Sequence, residues 1–248
     1  MSTQLSVNLN KIALMRNSRG NNIPNIIEAA KLAIAAGCHG ITLHPRIDKR
    51  HATLEDVIEL LTKVDEIKTG KVELNIEGDL RPDLIEIVKE YPVHQFTIVP
   101  VTAGELTTTR GWNKQDDEKS LTNVIKYLKN KTRISLFIEP DENIVEYVAN
   151  LGINAVEFYT YRYAISYATI PNHELDRISR AADRARRVGL RVHLGHDLNL
   201  ENLDKIIEKI QPDEVSIGHA LISDALMVAL GPTIKKYLSA IHNKIDIR

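Results

Sequence analysis

The sequence predicts an α/β protein, a (β/α)8 TIM barrel, on three observations. Short apolar runs alternate with segments of helical period from one end of the chain to the other. Strict alternation of that kind implies a parallel sheet with helices outside it. Eight such units fit within 248 residues, the usual size of a closed barrel. No change of composition and no Ser/Gly linker divides them, so residues 1–248 read as one barrel domain with a frayed polar tail over 242–248. An open doubly wound sheet is the lesser reading, because the fingerprint G-x-G-x-x-G does not follow the first strand.

The elements follow in order. Leu5–Leu9 is the first strand, and Ile26, Ile27, Ala30, Leu32 and Ile34 mark a helix from about Ile23 to Ala36. Gly37 punctuates, and Gly40–Leu43 is the second strand. Thr53 caps a helix over Val57–Ile67, with Asp56 three residues on. Val72–Ile76 is a strand, Pro82–Glu90 a helix with proline in its first turn, and Gln95–Val99 the fourth strand. The polar stretch from Val101 to about Asp116 is long for a connection, which points to function. A helix through Leu128, the strand Arg133–Ile138, the helix Glu142–Leu151 and the strand Ala155–Tyr159 come next. Tyr161–Ile170 reads as irregular. The helix Leu175–Val188, strand Leu190–Leu194, helix Leu200–Ile210, strand Glu214–Ile217 and one last helix to about Ile241 complete the chain.

Bulk properties bound the function. A net charge of −1 argues against a nucleic-acid binder with a broad basic face. The single cysteine, Cys38, forbids an intrachain disulfide and favours a reducing compartment. The first residues lack a signal peptide's basic and apolar regions. No apolar run nears the ~20 residues that span a bilayer. A cytoplasmic protein with no membrane partner is expected.

In a barrel the site forms at the C-terminal ends of the strands. The polar residues there are Asn8, Asn10 and Lys11, with Arg16 and Arg19 in the loop that follows; His44, Arg46, Arg50 and His51; Asn75 and Glu77; Glu105, Thr107, Thr108 and Thr109; Glu139 and Asp141; Glu157, Tyr159 and Tyr161; His196 and Asp197; and Gly218 and His219. Many are ordinary loop polarity. Glu77 and Glu157 stand out because they interrupt apolar strands, where a carboxylate must be paired or hold a raised pKa. Gly218-His219 opens a helix, and Gly195-His196-Asp197 repeats the small-residue turn one unit earlier; both suit anions. With Arg19, Arg46 and Arg50 as phosphate forks, there is room for two anionic groups. A Ser or Cys nucleophile lacks support, because Cys38 falls at the wrong end of the barrel. A metal-dependent hydrolase or isomerase using His44, His196 and Glu77 stays open, although the first strand lacks a His-x-His pair. So does a binding protein for phosphometabolites without catalysis.

Several segments together resemble the pyridoxine 5'-phosphate synthase family of the deoxyxylulose-dependent route to vitamin B6. They are Ser6-Val-Asn-Leu-Asn-Lys-Ile-Ala13, Arg16-Asn-Ser-Arg-Gly20, Gly40-Ile-Thr-Leu-His-Pro-Arg46, Arg50-His51, Asn75-Ile-Glu77, Val99-Pro100, Val156-Glu157, Gly195-His-Asp-Leu198 and Ser216-Ile-Gly-His-Ala220. The resemblance implies a (β/α)8 barrel assembled as a homo-octamer. It implies condensation of two phosphorylated small molecules, 1-deoxy-D-xylulose 5-phosphate and 3-amino-2-oxopropyl phosphate, without a cofactor or metal. By position, His44 and Glu77 would be general bases, His196 the general acid, and Glu157 a stabiliser of charge. Asn8, Arg19, Asp197, Gly218 and His219 would bind the amino-ketone phosphate. Asn10, Lys11, Arg46, His51 and Thr107 would hold the deoxyxylulose phosphate. The chain departs from many members at Asn10-Lys11 (often Asp-His), at Val101 (often Glu), at Tyr159-Thr-Tyr161 (often His-Thr-Gly) and at Asp197 (often Gly).

Overall fold

A computed structural model describes residues 2–101, 108–170 and 172–242. Its elements are β1 (Gln4–Asn8), α1 (Asn10–Asn17), α2 (Ile26–Ala35), β2 (Gly40–Leu43), α3 (Leu54–Lys63), α4 (Asp65–Lys68), β3 (Glu73–Gly78), α5 (Pro82–Glu90), β4 (Gln95–Ile98) and α6 (Glu118–Leu128). Then follow β5 (Arg133–Ile138), α7 (Glu142–Asn150), β6 (Ala155–Tyr159), α8 (Tyr161–Ser166), α9 (His173–Arg187), β7 (Arg191–Gly195), α10 (Leu203–Ile210), β8 (Glu214–Ile217), α11 (His219–Val228) and α12 (Leu230–Ile241). Every strand pairs in parallel with its sequence neighbour, and β8 pairs with β1, so the sheet closes as a (β/α)8 barrel.

The strands alternate with period two. Leu5, Val7, Ile41, Leu43, Leu74, Ile76, Val192 and Leu194 face the helices and are fully buried. The opposite positions fill the lumen, and most are polar, with Phe137 and Tyr159 forming a small apolar cluster near the mouth. Ser6 Oγ lies 2.7 Å from Thr42 Oγ1, Thr97 Oγ1 donates to Asn75 Oδ1 at 2.9 Å, and Ser216 Oγ donates to Thr42 Oγ1 at 3.4 Å. Barrel interiors are commonly packed with branched apolar side chains. Here the apolar core is the outer shell between sheet and helices, and Glu77 and Glu157 belong to a polar inner face rather than interrupting apolar strands.

Local chemistry sets the helix boundaries. Asn25 accepts from Glu28 N at 3.0 Å and so starts α2 later than the apolar spacing alone indicates. Thr53 and Asp56 form a reciprocal capping box on α3, as the spacing predicts. Three connections differ from the sequence reading. The segment after β1 is a helix, not a loop, and its Arg16 is tied to Asp56 through both guanidinium nitrogens. The tyrosine-rich stretch contains α8, anchored by fully buried Tyr163, whose hydroxyl donates to Asn202 O at 2.6 Å. The last helix is two, broken at Ala229 (φ 84°), because the Pro232 ring cannot follow a helical carbonyl four residues earlier. Of the expected tail, 243–248 lies outside the described residues. His242 is held, with its ring Nε2 3.2 Å from Thr3 O. Among the described residues, no helix is long and apolar enough to cross a membrane.

Candidate active site

A cavity of about 260 Å3 opens at the C-terminal ends of the strands. Asn8, Asn10, Lys11, His44, Arg46, His51, Glu77, Glu157, His196, Asp197, Gly218 and His219 all line it. These residues singled out from sequence therefore converge, whereas Arg50, read as a phosphate fork, is not part of the lining. Arg19 sits in the exposed turn after α1, away from the lining, and Thr107 lies outside the described residues.

Short-range turns build the first wall. Asn8 Oδ1 accepts from Asn10 N at 3.0 Å, and Asn10 Oδ1 accepts from His44 N at 2.8 Å, so the end of β1 fixes the backbone where β2 stops. His44 Nδ1 stands 3.8 Å from Glu77 Oε2, and Asn8 Nδ2 donates to that same oxygen at 3.4 Å. Arg81 Nη2 donates to Pro45 O at 2.5 Å and steadies the turn behind His44. His44 Nε2 is buried without a hydrogen-bond partner among the described residues, which suits an atom meant for substrate.

The opposite wall is β6 and β7. His196 packs edge-on against Tyr159, ring centroids 5.5 Å apart, and tilts over Phe137 at 4.7 Å. Thr160 Oγ1 donates to Gly195 O at 2.6 Å and also to His196 O, while Asn202 Nδ2 donates to Asp197 O at 3.1 Å. These bonds hold His196 and Asp197 at φ 73° and 58°, the left-handed region that non-glycine residues avoid. Gly195 was expected to form an anion-binding turn. It is instead the last residue of β7, and a Cβ there would overlap the Glu157 carboxyl. Gly218 matches its expected place before α11: no side chain caps that helix, and a Cβ would meet Asn8 Cγ at 3.1 Å.

Burial sets the protonation states. It drives His44 well below an ordinary imidazole, with Arg46, His51, His196 and Arg81 adding repulsion. It lowers His51 to about 4, assisted by Lys11 and Arg50. His196 is lowered by burial and partly restored by Asp197. Burial, then the neighbouring Glu214 charge, pushes Glu77 up to about 7. Glu157 is raised well above the carboxylate range by burial, Glu77 and Glu214. At neutral pH His44, His51 and His196 are thus neutral, Glu77 is near its midpoint and Glu157 is protonated. A group poised near ambient pH suits proton transfer.

The sequence model for "Pyridoxal phosphate biosynthesis protein PdxJ" matches residues 5–243. This chain belongs to that family. Among its relatives, the pyridoxine 5'-phosphate synthase of Bacteroides fragilis (strain YCH46) is 41% identical over 237 residues, covering 95% of this chain and 98% of the relative. That of Leptospira biflexa serovar Patoc is 36% identical over 252 residues, with 96% and 97% covered. More distant solved structures share the barrel alone. Phosphoribosylanthranilate isomerase from Thermotoga maritima superposes with TM-score 0.59 at 12% identity, covering 97% of this chain and 99% of that one. Tryptophan synthase from M. tuberculosis superposes with TM-score 0.64 at 10% identity, covering 97% and 94%.

Sequence reasoning left out some of the PdxJ-family chain's lining. Thr108, already named among the strand-end residues, reaches the cavity, and so does Ser216, which was not. Ser216 could have been found by counting back two positions from Gly218 on the inward face. Glu214, two positions deeper, is buried, and its charge helps to raise the pKa of both Glu77 and Glu157.

Proposed function

We infer that this chain is a pyridoxine 5'-phosphate synthase. It condenses 1-deoxy-D-xylulose 5-phosphate with 3-amino-2-oxopropyl phosphate and yields pyridoxine 5'-phosphate, inorganic phosphate and water. The observation that carries the reading is a family-wide match whose titratable residues share one cavity: His44 and Glu77 on one wall, Glu157 and His196 on the other.

The chemistry needs imine formation, loss of phosphate, and ring closure with proton removal, so several groups must exchange protons in one dry space. Neutral His44 and the ionised fraction of Glu77 act as bases. Protonated Glu157 donates a hydrogen bond to negative charge as it develops. His196 must carry a proton to act as the acid, and burial alone keeps it neutral. The two dianionic phosphoesters supply the missing field: opposite charge brought next to a buried imidazole raises its pKa. Substrate binding therefore arms the acid. Asn10, Lys11, Arg46 and His51 flank the deoxyxylulose phosphate. The free N–H groups at Gly218 and His219, with the Asn8 amide, receive the amino-ketone phosphate. Asp197 can help there only through its backbone, because its carboxylate repels the ester. Arg19 and Thr107 are assigned to the amino-ketone phosphate and the deoxyxylulose phosphate by the family resemblance alone.

The whole chain acts as one catalytic domain, assembles as a homo-octamer and works in the cytoplasm. An apolar edge at Leu226, Met227 and Val228 stays exposed on the single chain, as an assembly contact would require. The direct test is turnover: purified protein given both substrates should release phosphate and form a product with pyridoxine absorbance. Intact folded protein that yields neither would defeat the reading.

A further inference from the structure

Below the cavity, the barrel lumen holds ionisable groups to which the reaction assigns no part. Glu73 on β3 takes both guanidinium nitrogens of Arg133 on β5 at 2.6 Å. Arg133 Nη1 also donates to Gln95 Oε1 at 3.0 Å, which fixes the orientation of that amide. Gln95 Nε2 then donates to Thr97 Oγ1 at 3.3 Å and to His193 Nδ1, 3.4 Å away. His193 is fully buried, and with Nδ1 acting as acceptor it is the neutral Nε2–H tautomer. A neutral ring cannot serve as counter-ion to Glu214, whose Oε1 lies 4.0 Å from Nδ1 and has no hydrogen-bond partner among the described residues. The strand register stacks Glu157 beside His193 and His193 beside Glu214 on the same inward face.

We propose that Glu214 is a positioning residue for the reaction: its charge, one layer below the pocket, sets how protons are shared between Glu77 and Glu157. Glu214 is placed for this because nearby groups leave its charge variable. Arg133 and Arg191 favour the anion, whereas Glu73, Asp213 and burial oppose it. Burial first, then the Glu73 charge, outweighs Arg133 and Arg191, so Glu214 is pushed up to about 7 and changes charge over the same range as Glu77. With Glu214 ionised, a proton stays in the upper pair; with Glu214 neutral, Glu77 is freed to ionise and act as base.

The turnover arm of the test rests on the synthase reading, and the second arm does not. In Glu214→Gln the acid limb of the kcat/KM–pH profile should move to lower pH by about half a unit or more, while plateau kcat changes less than about threefold. A residue with a purely structural role would lower turnover at every pH and leave the limb in place; that result overturns the proposal. The second arm follows the carboxyl carbons of 13C-labelled glutamate by NMR in the ligand-free native protein. Glu77 and Glu214 should titrate near neutrality with mutually dependent, non-ideal curves. Independent single-step curves in the ordinary carboxylate range would sink the proposal even if Glu214→Gln did not fold.

Discussion

At Gly195 the Glu157 carboxyl occupies the space where a side chain would begin. Gly195→Ala must therefore push Glu157 aside, and turnover should fall at least about tenfold while circular dichroism stays native. Unchanged turnover would show that the position of Glu157 does not matter. Glu77→Gln keeps the shape and the Asn8 contact but cannot take a proton, so turnover should drop about 10²–10⁴-fold, the usual worth of a general base. Substrate binding, in turn, should take up protons at neutral pH as the buried imidazoles near Arg46 and Asp197 gain anionic neighbours. Calorimetry in buffers of different ionisation enthalpy reads this directly, and a heat independent of buffer would contradict it. His44, Glu77 and His196 were legible because each follows an apolar run at a strand end. The reason for Gly195 was not, since only the folded register sets it against a residue thirty-eight positions earlier in the chain, Glu157.

Among the elements, the strands teach the most about the barrel. Parallel strands usually read as continuous apolar runs because both faces are buried. These alternate, as in Leu74-Asn75-Ile76-Glu77 and Val156-Glu157-Phe158, because the inner face is a polar lumen. The number and order of strands survived that difference, since apolar residues at every second place still mark a strand. Helix α1 did not, because Asn10–Asn17 has little amphipathic pattern and is held by side-chain ties instead. The chief tie is Arg16 to Asp56, the residue that also closes the α3 capping box. Both ends are buried, so Asp56→Ala strands a guanidinium and opens a cap; it should cost about 3–5 kcal/mol in chemical denaturation. A loss under about 1 kcal/mol would show that α1 is fixed by something else.

For the whole molecule, the buried acids and imidazoles make stability depend on pH in opposite senses. Glu77 and Glu214 have folded pKa values of about 7 against an ordinary 4.5. The native state binds more protons, so their contribution is complete below the unfolded value and is lost as pH climbs to about 7. His44 and His193 are lowered, so they destabilise the fold below about 6.5. Glu214→Gln removes one acid term. It should stabilise the protein by about 1–3 kcal/mol at about pH 8 and by little at about pH 4. Equal effects at both values would show that Glu214 is not held neutral. The central claim is that one barrel mouth grips two phosphoesters and joins them. Phosphorus NMR of a reaction holding both substrates tests it most directly: one inorganic phosphate should appear for each new pyridoxine phosphomonoester, with neither substrate losing phosphate alone. Phosphate released from a single substrate, or two esters that persist unchanged beside folded protein, would contradict the account.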